Sequence, residues 1–388
     1  MIKHSFKLIW NQKLKNTYVI LELFFLFVIL LVSSIYMLEK YELYTEGTGA
    51  NIDNIFHMQI NQKEFKRVDF ADRLSKLRAE IISDPSVEEV SYSYNAIPYI
   101  WSMSTNTSTY DSTKVGTVLR RVDENFGKSF GLNMLAGVWF EDDYLSATPP
   151  IVIDKLLANE LFGSPENAIN KTLDNNGDKL VVGVYDMLKR NEYEDNRASL
   201  CSPMDFSKAY AVDVVVKYKA GEMANPSQLA RIIHQYFSKD EFAIRYASTM
   251  GAKKQNVLAE TNIEMTMVGF FAVFLIVNII LGMIGIFGYS VKRRKGKLGI
   301  RRAMGSSAQK LHLLLLLESW SLTILALIPA IILMMQIPLL DLYPVEAHIF
   351  LQAFGLSVLL IFVLVSMSVY YPAYLASKIE AAEALSEE

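Results

Sequence analysis

The chain has 388 residues, 52% hydrophobic and 20% charged, with a formal net charge of -3, and its positive mean hydropathy points to a membrane protein. So small a net charge excludes the strongly basic footprint of a nucleic-acid-binding domain. A single cysteine, Cys201, excludes an intrachain disulfide or a cysteine-based metal cage, and the histidines form no ligand-like pair, so no metal site is expected.

Residues 1–17 read as a cytoplasmic amphipathic helix, with Phe6, Ile9, Trp10 and Leu14 on one face opposite Lys7 and Asn11. Trp10 suits an interfacial anchor. Residues 18–38 form the first apolar run, YVILELFFLFVILLVSSIYML, whose one charge is Glu22. It is long enough to cross a hydrocarbon core of ~30 Å. No small-residue cleavage site follows Leu38, so the run is expected to stay as an anchor.

Residues 39–263 mix short β-rich runs with amphipathic helical patterns. Val87–Ile97 alternates like a half-buried strand, and 150–153, 179–184 and 212–218 are further strand candidates. Arg67–Ile82 and Pro226–Phe237 carry helical spacing, the second with proline at an allowed first position. This is an α+β domain. It contains no G-x-S-x-G, and its acidic pairs Asp142-Asp143 and Glu194-Asp195 read as solvated turns, so no catalytic residue is expected.

Three further apolar runs follow, at 264–291, 311–335 and 349–371. From Met265 to Val291 there is no charged residue, and as a helix this stretch reaches about 40 Å, so it should tilt or protrude. Lysine and arginine set the orientation. Residues 292–310 hold Lys292, Arg293, Arg294, Lys295, Lys297, Arg301, Arg302 and Lys310 without an acid, whereas the turn 336–348 has Asp341 and Glu346 but neither Lys nor Arg. The N-terminus, the 292–310 loop and the tail 372–388 are therefore expected in the cytoplasm. The fold class that results is a membrane protein with four transmembrane α-helices and a large α+β extracytoplasmic domain inserted between helices one and two.

Within the 292–310 loop, GKLGIRRAMGSS (Gly296–Ser307) reads as a short two-faced helix. Ile300 and Met304 share one face while Arg301 and Arg302 turn to water or a partner. Gly305 is suited to stop it, and Ser306-x-x-Gln309 fits a capping box for the next helix. The arginines have two uses open to them, lipid phosphates or the carboxylates and carbonyls of a docked protein. The intramembrane polar residues Glu22 and Glu318 are costly in lipid and so are candidate functional residues. Glu22 is close enough to the cytoplasmic end to snorkel, whereas Glu318 is expected to pair with a polar group on a neighbouring helix.

Arg293–Glu318, RRKGKLGIRRAMGSSAQKLHLLLLLE, resembles the signature of FtsX-like and MacB-like ABC transporter permeases, and the ending YPAYLASKIEAAEAL (Tyr371–Leu385) is similar to that family's C-terminus. Phe130–Phe140, Ile151–Phe162 and Glu166–Val184 resemble the MacB-like periplasmic core domain. Lys297 stands where the family usually has Glu. The resemblance implies a type VII ABC system in a bacterial inner membrane, in which two permeases, identical or different, work with two ATPases by mechanotransmission. It selects docking for the basic turn and places ATPase coupling on Leu298, Ile300, Arg301, Arg302, Ala303, Met304 and Gly305. No G-x-x-x-x-G-K-[ST] phosphate loop occurs, so ATP and Mg are expected on a separate ATPase chain, and this chain is expected to hold no cofactor and to be no enzyme. Membrane lipid and a periplasmic or outer-membrane protein complete the expected partners. An FtsX-like regulator of a cell-wall hydrolase and a lipoprotein-extracting permease are alternatives within the same superfamily.

Overall fold

The computed structural model describes residues 13–64, 70–100, 102–141, 147–304 and 306–377. The expected N-terminal amphipathic face (Phe6, Ile9, Trp10), the pair Asp142-Asp143, Gly305 and the last residues of the tail lie outside the described residues. In chain order the elements are α1 (Lys13–Glu46), β1 (Ile55–Gln62), α2 (Ala71–Ile82), β2 (Val87–Tyr94), β3 (Ser104–Tyr110), β4 (Thr113–Val122), β5 (Met134–Gly137) and β6 (Pro150–Asp154). They continue with α3 (Lys155–Phe162), β7 (Thr172–Asp174), β8 (Asp178–Tyr185), β9 (Ser199–Pro203), β10 (Ala211–Tyr218), α4 (Pro226–Tyr236), β11 (Phe242–Thr249), α5 (Met250–Arg293), α6 (Lys295–Ala303), α7 (Ala308–Met334) and α8 (Ala347–Ser377). They fall into two compact units, Glu42–Thr261 and the remainder.

The unit Glu42–Thr261 starts from a split βαβ plan. Strands run β11-β1-β10-β2, antiparallel throughout, and α2 and α4 connect β1 to β2 and β10 to β11. Strand alternation decides the faces. Phe56, Met58 and Ile60 of β1 and Val212, Val214 and Val216 of β10 meet Leu74, Leu77 and Ile81 of α2 and Leu229 and Ile233 of α4. The intervening residues His57, Gln59, Ser91, Ser93 and Asp213 point the other way and are buried all the same.

Between β2 and β10 the chain inserts β3 to β9. Pairing runs β4-β3-β7-β8-β6-β9 and then returns from β9 to β4 in parallel, which closes a ring of strands, with β5 added to it through β8. Ile151, Ile153, Leu157, Leu161, Val181 and Leu200 fill it from one side. Helix α3 is set by Asp154, whose carboxylate accepts the Leu157 N–H at 2.9 Å, and stops at Gly163 with φ 80°.

The second unit contains α6 and most of four helices that are long and apolar enough to cross a membrane: Thr17–Glu46, Met250–Arg293, Gln309–Leu339 and Ala347–Leu375. Phe27 and Leu31 of α1, Ala326 and Ala330 of α7 and Ala353, Ile361 and Val365 of α8 share one buried core. Small residues let these backbones approach, and buried Thr323 and Ser368 satisfy their hydroxyls on their own helix, at the carbonyls of Ser319 (3.0 Å) and Leu364 (2.8 Å). Both α1 and α5 overrun the apolar runs read from sequence, ending at Glu46 rather than Leu38 and starting at Met250 rather than 264. Hydropathy registers the apolar part of a helix and is silent about polar turns added to its end.

One close approach in the strand ring is specific enough to test. Gly137 of β5 (φ 68°) is registered opposite Gly183 of β8, and a Cβ on either would lie 2.2 or 2.3 Å from a carbonyl oxygen of the facing strand. Gly137→Ala should destabilise this unit by about 2 kcal/mol or more, since it adds positive-φ strain to a backbone clash. Chemical denaturation of the purified chain measures it, and an unchanged midpoint would contradict the packing described.

Candidate coupling element and helix clamps

Helix α6 follows α5 almost without a break: Arg294 N–H still donates to the carbonyls of Ser290 and Val291, and Leu298 N–H already donates to Arg294. Leu298 belongs to the buried core of the helical unit, and Gly299 is buried beside it. On the other face Ile300 is 44% and Met304 75% exposed, while Arg301 is half-buried. The side chains of Lys297, Arg302 and Ala303 are outside the described set. The expected short helix is therefore present, but the exposed side chains described on it are the apolar Ile300 and Met304, whereas the sequence pattern turns Arg301 outward.

The capping differs from expectation. Ser306 N–H donates to the Arg301 carbonyl at 3.0 Å, the six-to-one bond that closes a Schellman terminus. Ser306 is thus used to finish α6, and the cap of α7 falls to Ser307, whose hydroxyl accepts the Lys310 N–H at 3.3 Å. Lys310 then occupies the third helical position, so the reciprocal half of a capping box, expected from Gln309, is missing.

Glu318 of α7 does pair, and its partner comes from inside the basic run. Arg294 Nη1 donates to both carboxylate oxygens at 2.9 and 3.0 Å, with both side chains mostly buried. The α5–α6 junction is thereby tied to α7. Glu22 lies instead against α5: a Cβ on Gly282 would sit 2.7 Å from its Oε1. Gly285 and Gly288, which with Gly282 form an apparent small-residue stripe in the sequence, face open space, because only Gly282 turns toward α1.

A second constellation has no sequence signal of its own. In the unit Glu42–Thr261, the segment 188–194 grips the ends of two long helices. Lys189, buried apart from water, donates to Glu46 Oε2 at 2.7 Å and to the Leu43 carbonyl at 3.2 Å, both in the last turns of α1. Glu192 accepts from Lys254 in the first turns of α5 at 2.6 Å and from Tyr99 Oη at 2.8 Å. Burial, reinforced by the Glu192 carboxylate, keeps the Tyr99 hydroxyl protonated well above the ordinary phenol range. Tyr193 packs on Tyr44, ring centroids 5.4 Å apart, and the buried Arg120 guanidinium donates to the Leu188 carbonyl at 2.6 Å. Glu194, expected to be a solvated turn residue, is half-buried and accepts Arg190 Nε at 2.7 and 2.8 Å, while Asp195 is exposed. Lys189 and Glu192 stand in a stretch of mixed charge that reads as an ordinary polar loop, and only the fold brings helix ends to them. Among the described residues no three His, Cys, Asp or Glu side chains gather as a metal site would need.

The family models match in two blocks: the MacB-like periplasmic core domain over residues 25–235 and the FtsX-like permease C-terminal domain over residues 269–381. The chain belongs to the MacB/FtsX-like family of ABC transporter permeases. Among solved structures, the periplasmic region of MacB from Actinobacillus actinomycetemcomitans is 18% identical, with 54% of this chain and 94% of that chain covered at a TM-score of 0.36. The extracellular domain of the ABC-type transporter YknZ from Gram-positive bacteria is 15% identical, with 49% and 100% covered at 0.33. No curated protein matches the sequence. Family membership rests on the two domain matches, which make this a membrane protein with a periplasmic core domain and imply an ATPase subunit as partner.

The Arg294–Glu318 pair gives a direct test of how the junction is held. Arg294→Ala and Glu318→Ala should each destabilise the detergent-solubilised permease, and the double substitution should cost less than their sum, with a coupling of about 1–3 kcal/mol. Strict additivity in that double-mutant cycle would show that the two side chains act independently.

Proposed function

We propose that the chain is the permease subunit of a type VII ABC transporter, in which a separate ATPase, binding ATP and Mg, docks on α6 and drives a conformational change of the periplasmic core domain that exports or moves a substrate outside the cytoplasm. In this reading residues 1–17, 292–310 and 372–388 are cytoplasmic, 18–38, 264–291, 311–335 and 349–371 span the bacterial inner membrane, and 39–263 lies in the periplasm between the first two spans, with 336–348 as a short outer turn. The permease works as a dimer, and Phe270, Phe271, Phe274 and Leu281 on the exposed side of α5 face lipid or the second permease. The chain itself does no bond chemistry.

The observation that carries this reading is the exposure of Ile300 and Met304 on a helix whose opposite side is anchored by Leu298. A loop that served only to obey charge bias would have no need for an ordered helix with an apolar face turned out. An ATPase groove would bury that face, with Arg301 and Arg302 giving planar hydrogen-bond forks at its rim. Glu318, held by Arg294, acts as a structural clamp and not a proton relay, since ATP supplies the energy and its carboxylate is already paired.

Two results are expected. Ile300→Asp with Met304→Asp, or Arg301→Glu with Arg302→Glu, should abolish ATPase co-purification from membranes while the permease inserts and melts normally; unaltered co-purification would exclude α6 as the contact. Lys189→Met with Glu192→Gln should uncouple the machine. Spin labels on Met223→Cys, an 85% exposed position in a chain whose one native cysteine is buried, read the distance between the two core domains. ATP with Mg should shift that distance in the otherwise native complex and leave it unmoved in the Lys189/Glu192 variant, with ATP hydrolysis retained. A full shift in the variant would contradict transmission through the clamp.

A further inference from the structure

The buried polar face of the split βαβ sheet opens into a cavity of about 430 Å³ within the unit Glu42–Thr261, a volume suited to a small molecule. Its floor is a hydrogen-bonded series. Asp213 on β10 accepts from His57 Nε2, Gln59 Nε2 and the Asn95 N–H, each at 2.9 Å. Burial holds the His57 imidazole below its usual range, so at neutral pH the ring is uncharged; with Nε2–H donated to Asp213, Nδ1 is left as acceptor. Lys253 Nζ donates to that Nδ1 at 3.1 Å.

This leaves an asymmetry of unused capacity. The Asp213 carboxylate is occupied by three donors, whereas an ammonium has three N–H groups and Lys253 uses one of them on His57. Burial pulls the Lys253 amine down to about 8, with Asp213 pulling the other way. Lys253, Asn256 and Val257 share one face of α5 and line the cavity together, opposite Tyr99, Ile100 and Tyr246. A polar head is thus offered at one end and aromatic and aliphatic surface around it.

Backbone strain concentrates at the same place. Among the described residues, the non-glycine positions at positive φ are all Asn or Asp except Tyr99 (60°) and Tyr246 (56°), and these two tyrosines line this one cavity together with Asn95 (49°). Bulky residues avoid that region unless their surroundings force it, at a cost of roughly 1–3 kcal/mol each. At Tyr246 the cause is visible: β11 places Tyr246 and Ala247 opposite the single residue Met58 of β1, a β-bulge that brings the ring to 5.8 Å from Lys253 Nζ.

We infer that this cavity is a binding site for a small amphipathic carboxylate, whose acid group is received by Lys253 and whose apolar body packs between Tyr99 and Tyr246. His57 and Asp213 are positioning residues that hold the amine in place. Because Lys253 lies in the first turn of α5, which continues without interruption to Arg293, occupancy of the site bears on the same helix whose far end leads into α6. The inference stands on the cavity alone and holds whether or not α6 is the ATPase contact.

The test uses the purified full chain in lipid nanodiscs, with hydrocinnamate and octanoate as carboxylate probes and hydrocinnamide as the uncharged control. Titration calorimetry should show saturable binding of a carboxylate probe, weakened at least tenfold for hydrocinnamide and for Lys253→Met. Tyr246→Gly relieves the positive φ, so it should melt no lower than the native protein and yet bind the probe more weakly, a combination that simple misfolding cannot produce. Acylation by a succinimidyl ester, mapped by mass spectrometry, should modify Lys253 and be suppressed by hydrocinnamate. Absence of binding by both carboxylates, or equal binding by native protein and a folded Lys253→Met, overturns the inference.

Discussion

The attachment of Lys189 to Glu46 and of Glu192 to Lys254 is the constraint that fixes the ends of two long helices to the core domain. Lys189 has no water to turn to, so releasing Glu46 and the Leu43 carbonyl would strand an ammonium inside the protein. Such pairs add little net stability, yet breaking them is expensive, which is the property a mechanical joint requires. One short segment therefore fixes the end of α1 and the start of α5 to the strands of the core domain.

At the other end of α5 the same logic recurs with different chemistry. Arg294 sits at the point where α5 gives way to α6 and is bound by both oxygens of Glu318, while Leu298 anchors the short helix by burial. Helix α6 is thus held by one charged and one apolar contact, and its free face presents Ile300 and Met304. In the proposed function, the helix Met250–Arg293 is the element that links the clamp at its start to the partner surface beyond its end. Small residues in α7 and α8, among them Ala326, Ala330 and Ala353, pack those two helices closely together.

Much of this was legible in the sequence because the physics involved is local. The apolar runs, the basic loop and the two-faced helix at Leu298–Met304 all follow from hydropathy and helical period, and β2, β6, β8 and β10 follow from β-rich runs near their observed limits. Strand β1, IFHMQINQ, carries the alternation of a strand but gives no sign that its His57 and Gln59 are buried too, and β3, STNTSTY, is polar throughout. The partner of Glu318 lies in a basic run whose other members read as surface charge, and the site at Lys253 joins residues separated by most of the core domain. The cap at Ser307 in place of Ser306 shows the remaining limit: a helix stop and the next helix start compete for the same residues, and only the geometry of the turn decides between them.

In the proposed function, an ATPase engages this permease on the outward face of α6. The most direct measurement of this contact is site-specific photocrosslinking in native membranes, with p-benzoylphenylalanine introduced at Met304 and the adducts identified by mass spectrometry. A crosslink is expected to a separate protein carrying the phosphate-binding loop of an ABC ATPase, lost when the same probe is placed on the buried face at Leu298. Adducts with lipid alone, from a probe exposed at Met304, would contradict it.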